Sequence, residues 1–149
     1  MAGETQTTTT VKTPNGTSVE VLLRSPDFTT EEKKSMDAEI KSLYPNAIKL
    51  RTASIKYNCH SYAWYSQSSN NKYWMNDPSA YMTDGSYTRA LRMITGLKGC
   101  TFSKTHSVIV SKVDGMEVSK VKSKWGAYGL YEHHPNYSPY IDPVIAYYY

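Results

Sequence analysis

The spacing of apolar residues changes several times along the chain, and each change marks an element. Val19, Val21 and Leu23 recur at every second position, the period of a short strand. Thr29 followed by Glu32 is a capping-box pattern. Met36, Ile40, Leu43 and Tyr44 then recur at helical spacing until Pro45-Asn46. Tyr62 and Ala63 lie three and four positions after Cys59, with Trp64 next. That spacing predicts a second helix from Cys59 to about Ser68, with an aromatic inner face. The run Ser107–Val110, the turn Asp114-Gly115 and the return segment Met116–Ser123 predict a hairpin.

The remaining segments are less regular. Residues 1–16 are polar and rich in Thr, and end in Pro14-Asn15-Gly16. They read as a flexible or strand-edge lead-in to a single domain over residues 17–149. Ala47–Leu50 is a short strand or a turn. Pro78 breaks an aromatic stretch, Thr83–Ser86 is a turn, and Arg89–Leu97 fits no single pattern. Tyr147–Tyr149 is a candidate edge strand. Helices first and an antiparallel sheet later make an α+β layout.

Composition narrows the function classes. A chain of 149 residues with 40% hydrophobic and 20% charged positions suits one folded domain. The net charge of +4 is spread along the chain, so no basic stripe for nucleic acid is expected. No apolar run is long enough to span a membrane, and the first residues do not read as a signal peptide. Two cysteines and four histidines without paired spacing do not make a metal motif, and no glycine loop for a phosphate cofactor is present. No metal and no cofactor is therefore expected. Tyrosine is abundant, with 14 copies against 2 Phe, which suits either a small core with a polar rim or a groove for sugar or peptide.

Cys59 is the foremost chemical candidate. A thiol attacks as thiolate, and the first turn of a helix offers unpaired N–H groups that favour that form. His106, leading the strand Ser107–Val110, is the candidate partner base. The bland reading of the two is a small buried hydrophobe and an ordinary core or surface histidine.

The segment Cys59-His60-Ser61-Tyr62-Ala63-Trp64 resembles the nucleophile helix of bacterial CHAP domains, the cysteine, histidine-dependent amidohydrolases/peptidases. His106-Ser107-Val108-Ile109-Val110 is similar to the family's His-led strand, and Trp125-Gly126 to its Trp-Gly pair. The likeness runs from about Tyr57 to Tyr140. It implies a papain-like fold of the NlpC/CHAP type, with the nucleophile helix packed on a small antiparallel sheet. It also implies a secreted or surface-exposed hydrolase of peptide amide bonds, with peptidoglycan peptides as the favoured substrate. Cys59 and His106 take the roles of nucleophile and base. The family's acidic or polar orienter of the histidine falls near Lys122–Lys124, and lysine accepts no hydrogen bond. Ser123 or His133 is then the expected orienter. Tyr57, Asn58, His60, Trp74 and Trp125 are the expected substrate contacts, and Cys59 is expected not to bond Cys100. The alternative is an inactive module of the same fold that holds glycan or peptide in an aromatic groove. Oligomeric state is not legible.

Overall fold

The Thr-rich start of the chain is a strand. Thr5–Lys12 (β1) and Ser18–Ser25 (β2) pair antiparallel from Thr5 opposite Ser25 to Lys12 opposite Ser18. Of the two expectations for residues 1–16, a flexible or a strand-edge lead-in, residues 5–12 take the strand. Threonine is branched at Cβ and favours extended backbone. Val11, Val19 and Val21 are buried in one core cluster with Trp64, Met75 and Tyr81, which fixes the hairpin to the body. The computed structural model describes residues 3–149, so Met1 and Ala2 lie outside the described residues.

Helix α1 (Thr30–Leu43) starts as the sequence predicts. The Thr29 hydroxyl accepts the Glu32 N–H, and the Glu32 carboxylate accepts the Thr29 N–H at 2.9 Å. Ile40 buries its side chain against Trp125 and Tyr131, and Tyr44 meets Trp125 edge-on at 5.2 Å. The chain then forms β3 (Ile48–Arg51), a short helical turn after Asn58, and helix α2 (Ser79–Thr83).

The remaining strands complete a six-stranded sheet. They are β4 (Lys98–Thr101), β5 (Ser107–Asp114), β6 (Glu117–Lys124), β7 (Leu130–His133) and β8 (Val144–Tyr148). The order is β3-β7-β6-β5-β4-β8, with every neighbour antiparallel. The β5–β6 hairpin closes at Gly115, whose φ of 62° suits glycine. The predicted edge strand is β8. Side chains alternate between the faces of the sheet, so Ile109, Lys124 and Leu130 share one face while Val121, Ser123 and His133 share the other. The helical turn packs on the first of these faces, where Tyr57 and Tyr62 meet Leu130 and Ile109. The molecule is thus α+β, with mostly antiparallel sheet and few helices. No helix among the described residues is long and apolar enough to cross a membrane.

Candidate active site

Carboxylates on and before α1 set the path into Cys59. Asp27 accepts the Ile55 N–H at 3.1 Å and the Ser54 hydroxyl at 2.9 Å. Asp37 accepts the Ala53 N–H at 3.1 Å. Burial works against the Asp27 carboxylate, yet the N–H groups of Ile55 and Phe28, with Ser54 and Lys33, hold its pKa below the usual value. Asn58 then caps the turn. Its Oδ1 accepts the N–H groups of Ser61 and Met75, and its Nδ2 donates to the Met75 carbonyl at 2.7 Å. Cys59 is the first helical residue. The turn widens to a π-helix over Ser61–Tyr65, with the Ser66 N–H reaching the Ser61 carbonyl at 2.9 Å. It ends earlier than the predicted limit near Ser68.

Cys59 is 3% exposed. Burial pushes its thiol up to about 12. The backbone N–H of Ser107 pulls the other way, the nearby Cys100 adds to the rise, and the His60 N–H and the Lys124 ammonium again favour the thiolate. Cys59 and Cys100 are both free thiols, as expected from the sequence.

His60 is fixed rather than available. Its Nδ1 lies 2.7 Å from the Ser107 hydroxyl, which also accepts the Trp64 indole N–H at 2.9 Å. Burial lowers its pKa to about 4, so the ring is neutral at neutral pH. It ties the Cys59 turn to the start of β5.

His106 is equally buried, and neither ring nitrogen has a hydrogen-bond partner. The expected hydrogen bond to Cys59 is therefore not made. Instead the imidazole lies flat against Tyr140, with ring centroids 3.6 Å apart and planes inclined by 12°. Its pKa sits well below the ordinary value, first through burial and then through the neighbouring His133 and His60. The ring is thus neutral, with one donor and one acceptor nitrogen. The Cys59 turn and the His106 segment meet through Ser107, whose hydroxyl bonds His60 and Trp64.

Ser123 and His133 form a network of their own. His133 Nδ1 is 2.8 Å from the His134 carbonyl, which only accepts, so this nitrogen carries the proton. Nε2 must then accept, from the Ser123 hydroxyl at 2.7 Å and, more weakly, from the Trp125 indole at 3.3 Å. Trp125 also donates to Ser123 Oγ at 3.0 Å. No hydrogen bond from either residue reaches His106, so the expected orienters are not bonded to it. Their polar atoms are satisfied by one another and by Trp125, while Tyr140 fixes the plane of His106.

Lys124 entered the sequence reading only as part of the Lys122–Lys124 slot where an orienter of the histidine was lacking, and not as a site residue. Alternation puts it opposite Ser123, and that face is the one covered by the Cys59 turn. Its side chain is fully buried. Nζ donates to the carbonyls of Ser54 at 2.7 Å, Tyr57 at 2.9 Å and Gly126 at 2.7 Å, and lies 4.5 Å from the centre of the Tyr57 ring. A lysine between polar strand neighbours reads as solvated, so no local signal marked it. Tyr140 was equally hidden, as one tyrosine among many in a loop.

The expected substrate contacts separate. Tyr57, Asn58 and His60 are buried, and the polar atoms of Asn58 and His60 are committed to the fold; this corrects their assignment as contacts in the resting molecule. Trp74 packs under Arg24, 4.4 Å from its guanidinium, beside the β1–β2 hairpin. Trp125 lines a cleft of about 470 Å³ with Ile40, Tyr44, Tyr128 and Tyr140. Among the described residues, no group of three or more His, Cys, Asp or Glu is placed to hold a metal. In comparisons with protein-family models, with curated proteins and with solved structures, no match to this chain was found.

Proposed function

We propose that the chain is a papain-like cysteine hydrolase of the CHAP/NlpC type, cleaving peptide amide bonds. One observation carries this reading: His60, next to Cys59, and Trp64 of the same turn both bond the hydroxyl of Ser107, next to His106, so the two motifs share one buried locus. Cys59 loses its proton to the neutral His106, and its sulfur attacks the carbonyl carbon. The Cys59 N–H, in the first turn of the helix where no intrahelical acceptor exists, meets the oxyanion. His106 then protonates the leaving amine as the C–N bond breaks, leaving a thioester. Water, deprotonated by His106, releases the acid and restores the thiol. Peptidoglycan peptides are the substrate the resemblance favours, and a secreted or cell-surface location goes with them.

Burial favours a second reading. Cys59 and His106 are each only 3% exposed, and Tyr140 covers the histidine. An inactive module that holds glycan or peptide in the Trp125–Tyr140 cleft matches that closure. Hydrolysis of purified peptidoglycan and of a mixed peptide library, by the unaltered protein and by Cys59→Ala, separates the two. The enzyme reading expects a loss of about a thousandfold or more in the variant. Binding without turnover by both proteins supports the module.

A further inference from the structure

Trp74 meets the outer side of β2, where it exchanges backbone bonds with Leu22 at 2.8 and 2.9 Å. Thr88 and Ala90 meet the outer side of β8, bonding Tyr149 and Tyr147 at 2.8–3.0 Å. The third outer strand, β3, is only four residues long. The outer side of β1 has no such cover. Over Thr5–Lys12 its one neighbour is β2, in unbroken register, and no backbone bond among the described residues leaves the other side. The strand holds no proline and no bulge, the usual means of blunting an edge, and its one charge is Lys12 at the end. Thr5, Gln6, Thr7, Thr8 and Thr10 are exposed, so the edge is open to a second strand.

What fits that edge is set by its own sequence. In a strand, the N–H and C=O of every second residue point to the same side. An antiparallel copy of β1 therefore pairs with it only in registers where outward-pointing residues face one another. In one of these, Thr8 lies on a two-fold axis opposite Thr8 of the second copy. Thr7 then faces Thr9, Gln6 faces Thr10 and Thr5 faces Val11. Glu4 faces Lys12, twice over by symmetry. Sliding to the next allowed register sets Glu4 against Thr10, or Lys12 against Gln6, and both ion pairs are lost. Val11 is buried in the body, so Glu4, Thr8 and Lys12 project from the opposite, solvent side of the hairpin. The Lys12 ammonium bonds the Ser18 hydroxyl at 2.9 Å and has no carboxylate partner among the described residues. Arg24 at 2.6 Å and Gln6 at 3.1 Å hold Glu4 in place at the other end of the strand. Thr5 and Thr7 share the face of Val11 and are exposed, which leaves that end of the hairpin clear for the second body.

We infer that β1 is a self-association edge: two copies of the chain join through β1 about a two-fold axis, forming a four-stranded sheet β2-β1-β1-β2 with a Glu4–Lys12 pair at each end. One pair of eight-residue strands is small beside the roughly 1,200 Å² of a stable interface, so the dimer forms reversibly with concentration. The inference stands apart from the cysteine-hydrolase reading, because β1 carries none of the residues of that site.

The experiment is sedimentation equilibrium of the full chain over a concentration series up to about 0.5 mM. The parent is expected to show a growing share of dimer, weakened by salt. Thr8→Lys sets two like charges face to face across the axis and is expected to weaken the dimer about fivefold or more. Lys12→Glu, which makes both end pairs repulsive, is expected to act in the same direction. Thr8→Cys reads the register. Under mild oxidation it is expected to link two copies through the new thiols, with the linked peptide identified by mass spectrometry. Gln6→Cys is expected not to, because its two copies lie about 13 Å apart along the strands, beyond the reach of a disulfide. A parent that stays monomeric at every concentration overturns the inference, whatever other strand the edge accepts. So does a dimer that Thr8→Lys leaves intact, or one in which Thr8→Cys links no better than Gln6→Cys. Circular dichroism identifies a lysine or glutamate variant that has lost its fold, and the near-isosteric Thr8→Cys then decides alone.

Discussion

The ring of Tyr140 lies flat on the imidazole of His106, 3.6 Å between centroids and 12° between planes. It does for the histidine what a hydrogen-bonded orienter does elsewhere, by fixing the plane through contact area. It also shuts the site. Tyr140→Ala is expected to speed iodoacetamide labelling of Cys59 by about tenfold or more, because opening no longer requires the stack to part. Peptide mapping of the labelled thiol makes the measurement. An unchanged rate would show that the barrier to access lies elsewhere.

Ser123 and His133 share a proton network that is complete without His106. Ser123→Ala therefore leaves the buried His133 Nε2 with only the long contact to Trp125. The expected cost is about 1–2 kcal/mol of stability by urea denaturation. Any hydrolysis should stay within a few-fold of the parent. If kcat instead fell as far as in His106→Ala, Ser123 would belong to the catalytic machinery.

His60 ties stability to pH. Burial lowers its pKa from 6.5 to about 4, so between these values the unfolded chain binds a proton that the folded chain refuses. Its contribution is full above about pH 6.5 and is lost as the pH falls toward 4. The shift corresponds to about 3 kcal/mol. His106 and His133, also lowered by burial, add losses of the same sign. Thermal unfolding followed from pH 7.5 to 4 should show a falling midpoint. His60→Gln should flatten that fall, and an equal slope in the variant would remove His60 as a cause.

Gly129 stands where β7 meets β3. A Cβ at this position would lie 2.4 Å from the Arg51 carbonyl oxygen, a backbone atom that cannot swing aside. Gly129→Ala is expected to destabilise the fold by about 2 kcal/mol or more, through displacement of β3. Gly115→Ala, at an open turn of φ 62°, should cost less, about 1 kcal/mol, from backbone strain alone. Paired urea melts decide the order, and equal losses would contradict the clash.

What could be read from the sequence was local. The Thr29–Glu32 cap, the Met36–Tyr44 period and the Asp114-Gly115 hairpin each state their structure within a few residues, and each is present. Strand β1 was legible only as one of two readings, because a two-stranded hairpin buries only Val11 from that side, and six exposed polar residues look like solvated chain. Cys59 and His106 were singled out in the sequence by their neighbours. The surroundings of the pair were not. Lys124 and Tyr140 reach the site by tertiary packing, and neither carries a spacing signal. Trp125 was expected at the substrate and serves both as a cleft wall and as a donor to Ser123.

The chain between β7 and β8 has a length that bears on how the site opens. Residues 134–143 leave the second strand of the sheet and return at its far edge, four strand spacings away. The lateral part of that distance is about 19 Å at the usual inter-strand separation. Strands β7 and β8 run the same way, so the chain also returns about four residues along the strands, for a span of roughly 24 Å, whereas ten extended residues reach about 33 Å. The crossing is therefore slack. Asp142, bonded to the Ser103 and Thr105 hydroxyls, and Tyr137, accepting the Asn46 N–H, hold it down at exposed points. Releasing these surface ties gives the tether enough spare contour to lift Tyr140 off His106 while β8 keeps its place beside β4.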